Sequence, residues 1–291
     1  NCIKISPAYH YVSLLNLIDE KLTEMNIDIK IVFLIYYELL WTPENTKINN
    51  PDRFIMMFAP ITRTYTQSYP EKKLLEIEKM KPEIFDFNKI ACPNDIESNL
   101  KFLFDWQKIF KGDGFVFDYH MMWDLYRDYS NMNLAETIYK DMRSLKLLGL
   151  NGNVSCQLQR SFFPNGICMY IMGKVLFDTS LSFNELVEEY FESSYGEFAG
   201  LVKNYLTDIS ILVPHKYMRH ETKMIDNEIS NHFKKSVCMV QKYKKRFEKA
   251  SEKLENNQII MMSIIIKSTV IFEDLFNLFF MKASGTDKEN I

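Results

Sequence analysis

Three short runs that are apolar at nearly every position constrain this chain most. They are 29–37 (IKIVFLIYY), 54–60 (FIMMFAP) and 115–119 (FVFDY), and a fourth strand is placed at 152–157 (GNVSCQ). Brief β-branched and aromatic runs of this kind read as strands covered on both faces of a parallel sheet. More than a dozen residues separate each from the next, as parallel pairing requires. Helical patterns fill much of the intervals. Tyr11, Leu14, Leu15, Ile18 and Leu22 recur at helical spacing over 8–26, with Asn26 as a stop. A polar loop runs from Pro43 to Asp52, and a charged helix from about Glu71 ends before Pro82. Pro93-Asn94-Asp95 opens a helix with Leu100, Leu103, Phe104 and Ile109 on one side, and Gly112-Asp113-Gly114 breaks it. A long loop to Asn133 precedes a helix over 134–148, closed by Gly149.

This order predicts an α/β fold. Four strands do not close a barrel, but they suit the C-terminal half of a TIM (β/α) barrel; a small open sheet is the alternative. After Gln159 no strand is expected. Helices are predicted over 167–177, 183–195 and 198–212, and from Pro214 to about 283. The expected division is therefore a half-barrel over 1–160, helices packed after it over 161–213, and a helical extension over 214–291.

Composition excludes several classes. With 47% hydrophobic and 25% charged residues the chain has the balance of a globular protein. A net charge of −3 offers no global field for nucleic acid or an anionic membrane. The apolar stretch 259–280 is interrupted by Lys267, Glu273 and Asp274, so a buried helix is expected there and no membrane span. Cys2, Cys92, Cys156, Cys168 and Cys238 are odd in number and scattered, which argues against a disulfide scaffold and a structural zinc site. Unpaired thiols favour a reducing, cytoplasmic setting. No signal peptide is seen, and no phosphate-loop, dinucleotide, zinc-protease or nucleophile-elbow motif occurs. Neither a metal nor a cofactor is expected. The basic run 242–246 shares its helix with Glu248, Glu252 and Glu255 and reads as a solvated face.

The strand ends deliver polar and aromatic groups: Tyr36, Tyr37 and Glu38, with Trp41 beyond; Arg63, Tyr65 and Gln67; Asp118, Tyr119, His120 and Trp123; Gln157, Gln159 and Arg160. Carboxylates, amides, an arginine and aromatic faces are what a carbohydrate site uses, because sugar hydroxyls need planar hydrogen-bonding groups and a pyranose stacks on a ring. Glu38 and Asp118 are the carboxylates nearest to strand ends and are the candidate catalytic pair. Arg63, Tyr36, Tyr119, His120, Trp123, Gln157 and Gln159 are the candidate substrate-binding groups. Each has a structural reading beside the functional one. Glu38 can pair with a surface cation, Arg63 can form a rim salt bridge, His120 can be a satisfied structural histidine, and Trp41 and Trp123 can pack.

Read together, IVFLIYYELLWTP (31–43), NPDRFIMMFAPITRTY (50–65), Asp118-Tyr119, GLNGNVSCQLQRSFFPNG (149–166) and FNELVEEYFESSYG (183–196) resemble a bacterial family catalogued as a domain of unknown function, found in large carbohydrate-associated proteins. That family is similar to α-glucuronidase and β-hexosaminidase-type glycoside hydrolase barrels. The resemblance covers about residues 8–212 and implies a preceding N-terminal half-barrel, so the chain reads as a C-terminal fragment. The Asp-Glu pair of hexosaminidases has no counterpart within these residues. The expectation is a glycoside hydrolase-like protein acting on or binding a glycan. A non-catalytic carbohydrate-binding or scaffold protein is the alternative, and a helical interaction module over 214–283 is compatible with both.

Overall fold

The computed structural model describes residues 6–81, 84–87, 89–251 and 256–286. It divides into two compact units: one runs through His120 and takes up Lys140–Gln157, and the other comprises Met121–Tyr139 and the chain from Leu158 onward.

The first unit holds a four-stranded sheet of β1 (Ile31–Ile35), β2 (Phe54–Phe58), β3 (Asp113–Asp118) and β4 (Asn153–Ser155). The strands lie in sequence order, β1-β2-β3-β4, and every pairing is parallel. The connection from β1 to β2 is irregular, with 3-10 turns at Tyr37–Leu39 and Pro51–Arg53. Between β2 and β3 come α2 (Leu74–Glu78) and α3 (Ile96–Ile109), and α4 (Met132–Ser144) precedes β4. The charged helix expected from Glu71 is only the short α2; Pro82 lies outside the described residues. Asp95 caps α3 by accepting from Ser98 N at 2.7 Å. Gly149, at φ +69°, ends the turn after α4 as expected of an αL glycine.

Sheet register separates two faces. Phe33, Ile35, Met56, Phe58, Val116 and Asp118 share one face, and all are buried. On it the Phe33 ring meets Trp106 and Phe110 of α3 at centroid distances of 5.8 and 4.9 Å. Trp106 also donates from Nε1 to the Leu39 and Leu40 carbonyls, at 3.0 and 2.9 Å, tying α3 to the turn after β1. The other face carries Val32, Leu34, Ile55, Met57, Phe115, Phe117 and Val154. There Val32 and Val154 are 49% and 44% exposed and the rest are half-buried. The strands are thus covered on one face, not on both as their composition predicts. In an order that never reverses, right-handed crossovers belong on one side of the sheet, and α3 packs on the side of Phe33.

Helix α1 (Pro7–Glu24) precedes the sheet and buries Ala8, Val12, Leu15 and Asp19. Leu14 and Ile18, expected on its apolar side, are exposed. Asp19 forms an ion pair with Arg53, and Leu34 N donates to Tyr11 Oη at 3.1 Å.

The second unit is helical: α5 (Ile167–Phe177), α6 (Phe183–Tyr195), α7 (Ala199–Leu212), α8 (His215–Met218), α9 (Asn227–Ser251) and α10 (Asn256–Ser284). The last two pack along each other, and Tyr205 of α7 meets Tyr243 and Phe247 of α9, both at 5.2 Å. Along α10, Met262, Ile265, Phe272 and Phe276 are buried, whereas Ile260, Val270, Ile271 and Leu278 are exposed, so this helix is buried on one side only. No helix among the described residues is long and apolar enough to cross a membrane. Lys242, Lys245 and Arg246 are exposed on α9, as a solvated face requires.

Candidate functional site

The C-terminal ends of β2 and β3 converge on a buried polar cluster in the first unit. Asp118 is the last residue of β3 and has the parity of Val116, so its side chain turns to the helix-covered face and is fully buried. Arg63 follows β2 on a turn whose Arg63 N bonds Pro60 O at 3.1 Å. Its guanidinium reaches Asp118 Oδ2 at 3.4 Å and Asp141 Oδ2, from the last turns of α4, at 2.5 Å. It also stacks over Tyr69 and Tyr65, at 4.0 and 4.6 Å from the ring centroids.

The rest of the cluster satisfies these charges. Asp118 accepts from Tyr69 Oη at 3.2 Å and from Tyr119 N at 2.9 Å. Asp141 accepts from Tyr69 N at 2.6 Å, and His120 Nε2 lies 2.7 Å from Asp141 Oδ2. His120 Nδ1 makes no hydrogen bond among the described residues; Asp118 Oδ2 lies 3.7 Å from it. Burial pushes the Asp118 carboxyl up, but His120, Arg63, the Tyr65 hydroxyl and Tyr119 N–H outweigh it and hold the carboxyl below its ordinary value. Burial raises the Tyr65 and Tyr69 phenols well above theirs. Burial opposes the charge on Arg63, yet Asp141, Tyr69 and Asp118 together hold it all the more firmly protonated.

Asp118, His120 and Asp141 offer three donor atoms within 4.8 Å of one another, the geometry of a cation site. Arg63 already supplies the positive charge between the two carboxylates, and a dication beside it would meet a buried like charge. The donor set therefore reads as a closed ion network. Arg63 is not on a rim but fully buried in that network, and His120 is buried there with Nε2 engaged and Nδ1 without a hydrogen bond among the described residues.

The other expected site residues lie elsewhere. Tyr36, Tyr119 and Cys156 share the parity of the half-open face, and Tyr36 and Cys156 lie near enough to Tyr119 to help burial raise its phenol. Tyr119 is buried against Phe117, at 5.3 Å, and Gln157 is exposed just beyond β4. Glu38 is half-buried in the turn after β1; among the described residues it makes no hydrogen bond or ion pair with Asp118 or its partners. Trp41 is a core residue, packed on Phe102 at 4.9 Å. Trp123 and Gln159 belong to the second unit.

Within that unit Trp123 and Tyr126 are 41% and 51% exposed at a pocket of about 330 Å³. Arg127, Tyr217, His220 and Lys282 also line it. His220 holds φ +61°, a conformation unusual for a residue with a side chain. Asp124, between Trp123 and the pocket's arginine, is committed to an ion pair with Arg219. The arrangement combines flat apolar rings with cationic donors.

Asp141 was missed as a member of the buried network. It sits in step with Leu134, Ile138 and Leu145, all buried, and a carboxylate on the apolar stripe of a helix was the available signal. Tyr217 and Lys282 join Trp123 only through tertiary structure. A scan of protein-family models found no match to this chain, and neither did searches of curated proteins and of solved structures.

Proposed function

We propose that this chain is the C-terminal half of a (β/α) barrel with attached helices, and that it binds a glycan without cleaving it. The half-barrel reading rests on the sheet: four parallel strands in unreversed order, α3 packed on one face, and an apolar, half-open second face. In a closed barrel that second face is the interior, filled by branched side chains from all the strands. A preceding half-barrel is the partner that would complete it.

The observation that carries the glycan reading is the pocket at Trp123. Its exposed rings give a pyranose an apolar face to stack on, and Arg127 and Lys282 donate to ring hydroxyls. Binding is favoured over hydrolysis by the state of Asp118. A glycosidase needs two carboxylates flanking the scissile bond. Here Asp118 is fully buried and engaged by Arg63 and Tyr69.

A glycan array and a chromogenic-glycoside panel test this together. The expected result is retention of at least one glycan, loss of that retention in Trp123→Ala, and no glycoside turnover above the rate without protein. Turnover abolished by Asp118→Asn or Glu38→Gln, in variants that remain folded, would establish the hydrolase instead. No retention of any glycan would refute both.

A further inference from the structure

A second pocket of the helical unit has a different chemistry. It encloses about 480 Å³ between the segment after Leu158, the loop around Tyr129 and one side of α10, within the range of about 300–1,000 Å³ of small-molecule sites. Tyr129, Phe163, Ile264, Phe272 and Leu275 form its walls. Burial pushes the Tyr129 phenol up to about 12. Such a surface offers a sugar too few hydrogen-bonding partners, and it suits a hydrocarbon.

Arg160 is the one charged residue among the described residues lining this pocket. Its side chain is exposed, and its guanidinium has no ion pair or hydrogen bond among the described residues. An apolar hollow with a single uncommitted cation at its edge is complementary to a molecule with a hydrocarbon body and one anionic end.

We infer that this pocket binds a free amphiphilic carboxylate, with its alkyl chain against Phe163, Phe272 and Leu275 and its carboxylate paired with Arg160. Tyr126 and Tyr129 border both this pocket and the one at Trp123, but the inference rests on the apolar walls and Arg160, and its test ligands are not those of the glycan reading.

Isothermal titration of the full chain with octanoate, decanoate and dodecanoate, each below its micelle concentration, tests the inference, with decanol as the uncharged match for decanoate. Affinity is expected to rise about fourfold per added methylene, the factor given by ~0.8 kcal/mol per buried CH₂. Decanoate is expected to bind more tightly than decanol. Arg160→Gln should remove about tenfold from decanoate affinity and leave decanol unchanged. Ile264→Trp, which fills the hollow, should abolish binding of both; circular dichroism of each variant confirms that it is folded. Equal affinity for decanoate and decanol, affinity independent of chain length, or an Arg160→Gln variant that binds decanoate like the native chain would each overturn the assignment. So would attachment to phosphatidylglycerol vesicles without binding of the free carboxylates.

Discussion

Replacing Asp118 by Asn tests whether the buried cluster acts as an ion network. The change preserves shape and removes one charge. Asp118 accepts from Arg63 at 3.4 Å, from Tyr69 Oη at 3.2 Å and from Tyr119 N at 2.9 Å. Asparagine keeps one acceptor, but its amide end points donors at groups that are themselves donors. Breaking a buried ion pair from one side typically costs about 3–5 kcal/mol. Arg63 retains its shorter contact to Asp141, at 2.5 Å, so the loss belongs at the lower end, about 3 kcal/mol. With a urea slope of about 3 kcal/mol per molar, the unfolding midpoint should fall by about 1 M. Asp141→Asn should cost more, because Asp141 serves Arg63, Tyr69 N and His120 at once. Arg63→Met combined with Asp118→Asn should lose less than the sum of the single changes, by about 1 kcal/mol or more, since Asp118→Asn removes one of the two carboxylates that Arg63→Met leaves without a guanidinium. Urea unfolding followed by circular dichroism measures all four variants. An Asp118→Asn midpoint equal to that of the native chain, or strict additivity in the double variant, would refute the network.

The same carboxyl predicts an acid limit. Its folded pKa lies below the ordinary 3.8, so its stabilisation is complete above that value and drains away as pH falls below it. The stability difference between native chain and Asp118→Asn should therefore shrink on acidification from pH 5 to about pH 3, as read from denaturation midpoints. At the alkaline end the sign reverses. Tyr65 and Tyr69 have raised folded pKa values, so their contribution is full below the ordinary 10.0 and is lost as pH climbs past it. Absorbance of tyrosinate should show them silent above pH 10 until the unit unfolds, whereas early titration of every tyrosine would contradict their burial. The half-open sheet face should make the isolated chain self-associate, with Val32→Glu shifting solution mass toward monomer in light scattering; a native chain monomeric at all concentrations would count against an unfilled barrel interior.

The strands and helices were legible because their patterns are local. IVFLI, FIMMF and FVFD carry β-branched and aromatic residues in runs too short for helices, and all lie in the parallel sheet. Asp95 and Gly149 punctuate helices by their own chemistry, and they do so in the structure. Coverage of the sheet was not legible, since an apolar run looks the same whether its second face is filled by this chain or by something else. The polar residues were legible as a set and not as an arrangement. Asp118, Arg63 and His120 do meet, but parity along β3 turns Asp118 to the helix side, and Asp141 and Tyr69 close the cluster around it. Trp123 was visible as an aromatic residue beyond a strand end, whereas its exposure was not, and Tyr217 and Lys282 come to it from about 90 and 160 residues further along.

The interleaving of the two units governs how the molecule can be cut. The second unit needs Met121–Tyr139, which the chain lays down before it returns to the first unit for Lys140–Gln157. Within the second unit Asn131 Nδ2 donates to Asn165 O at 3.2 Å, and Asn165 Nδ2 donates to Ser130 O at 2.9 Å, with all three residues buried. A fragment that starts after Gln157 would carry Asn165 without Ser130 and Asn131; Oδ1 would keep the Ile167 N–H, but the Nδ2 donor would lose its acceptor. The helical unit is thus not a module that a genetic break could transplant. A recombination event that moved the carboxyl-terminal helices alone would move a broken polar clasp with them.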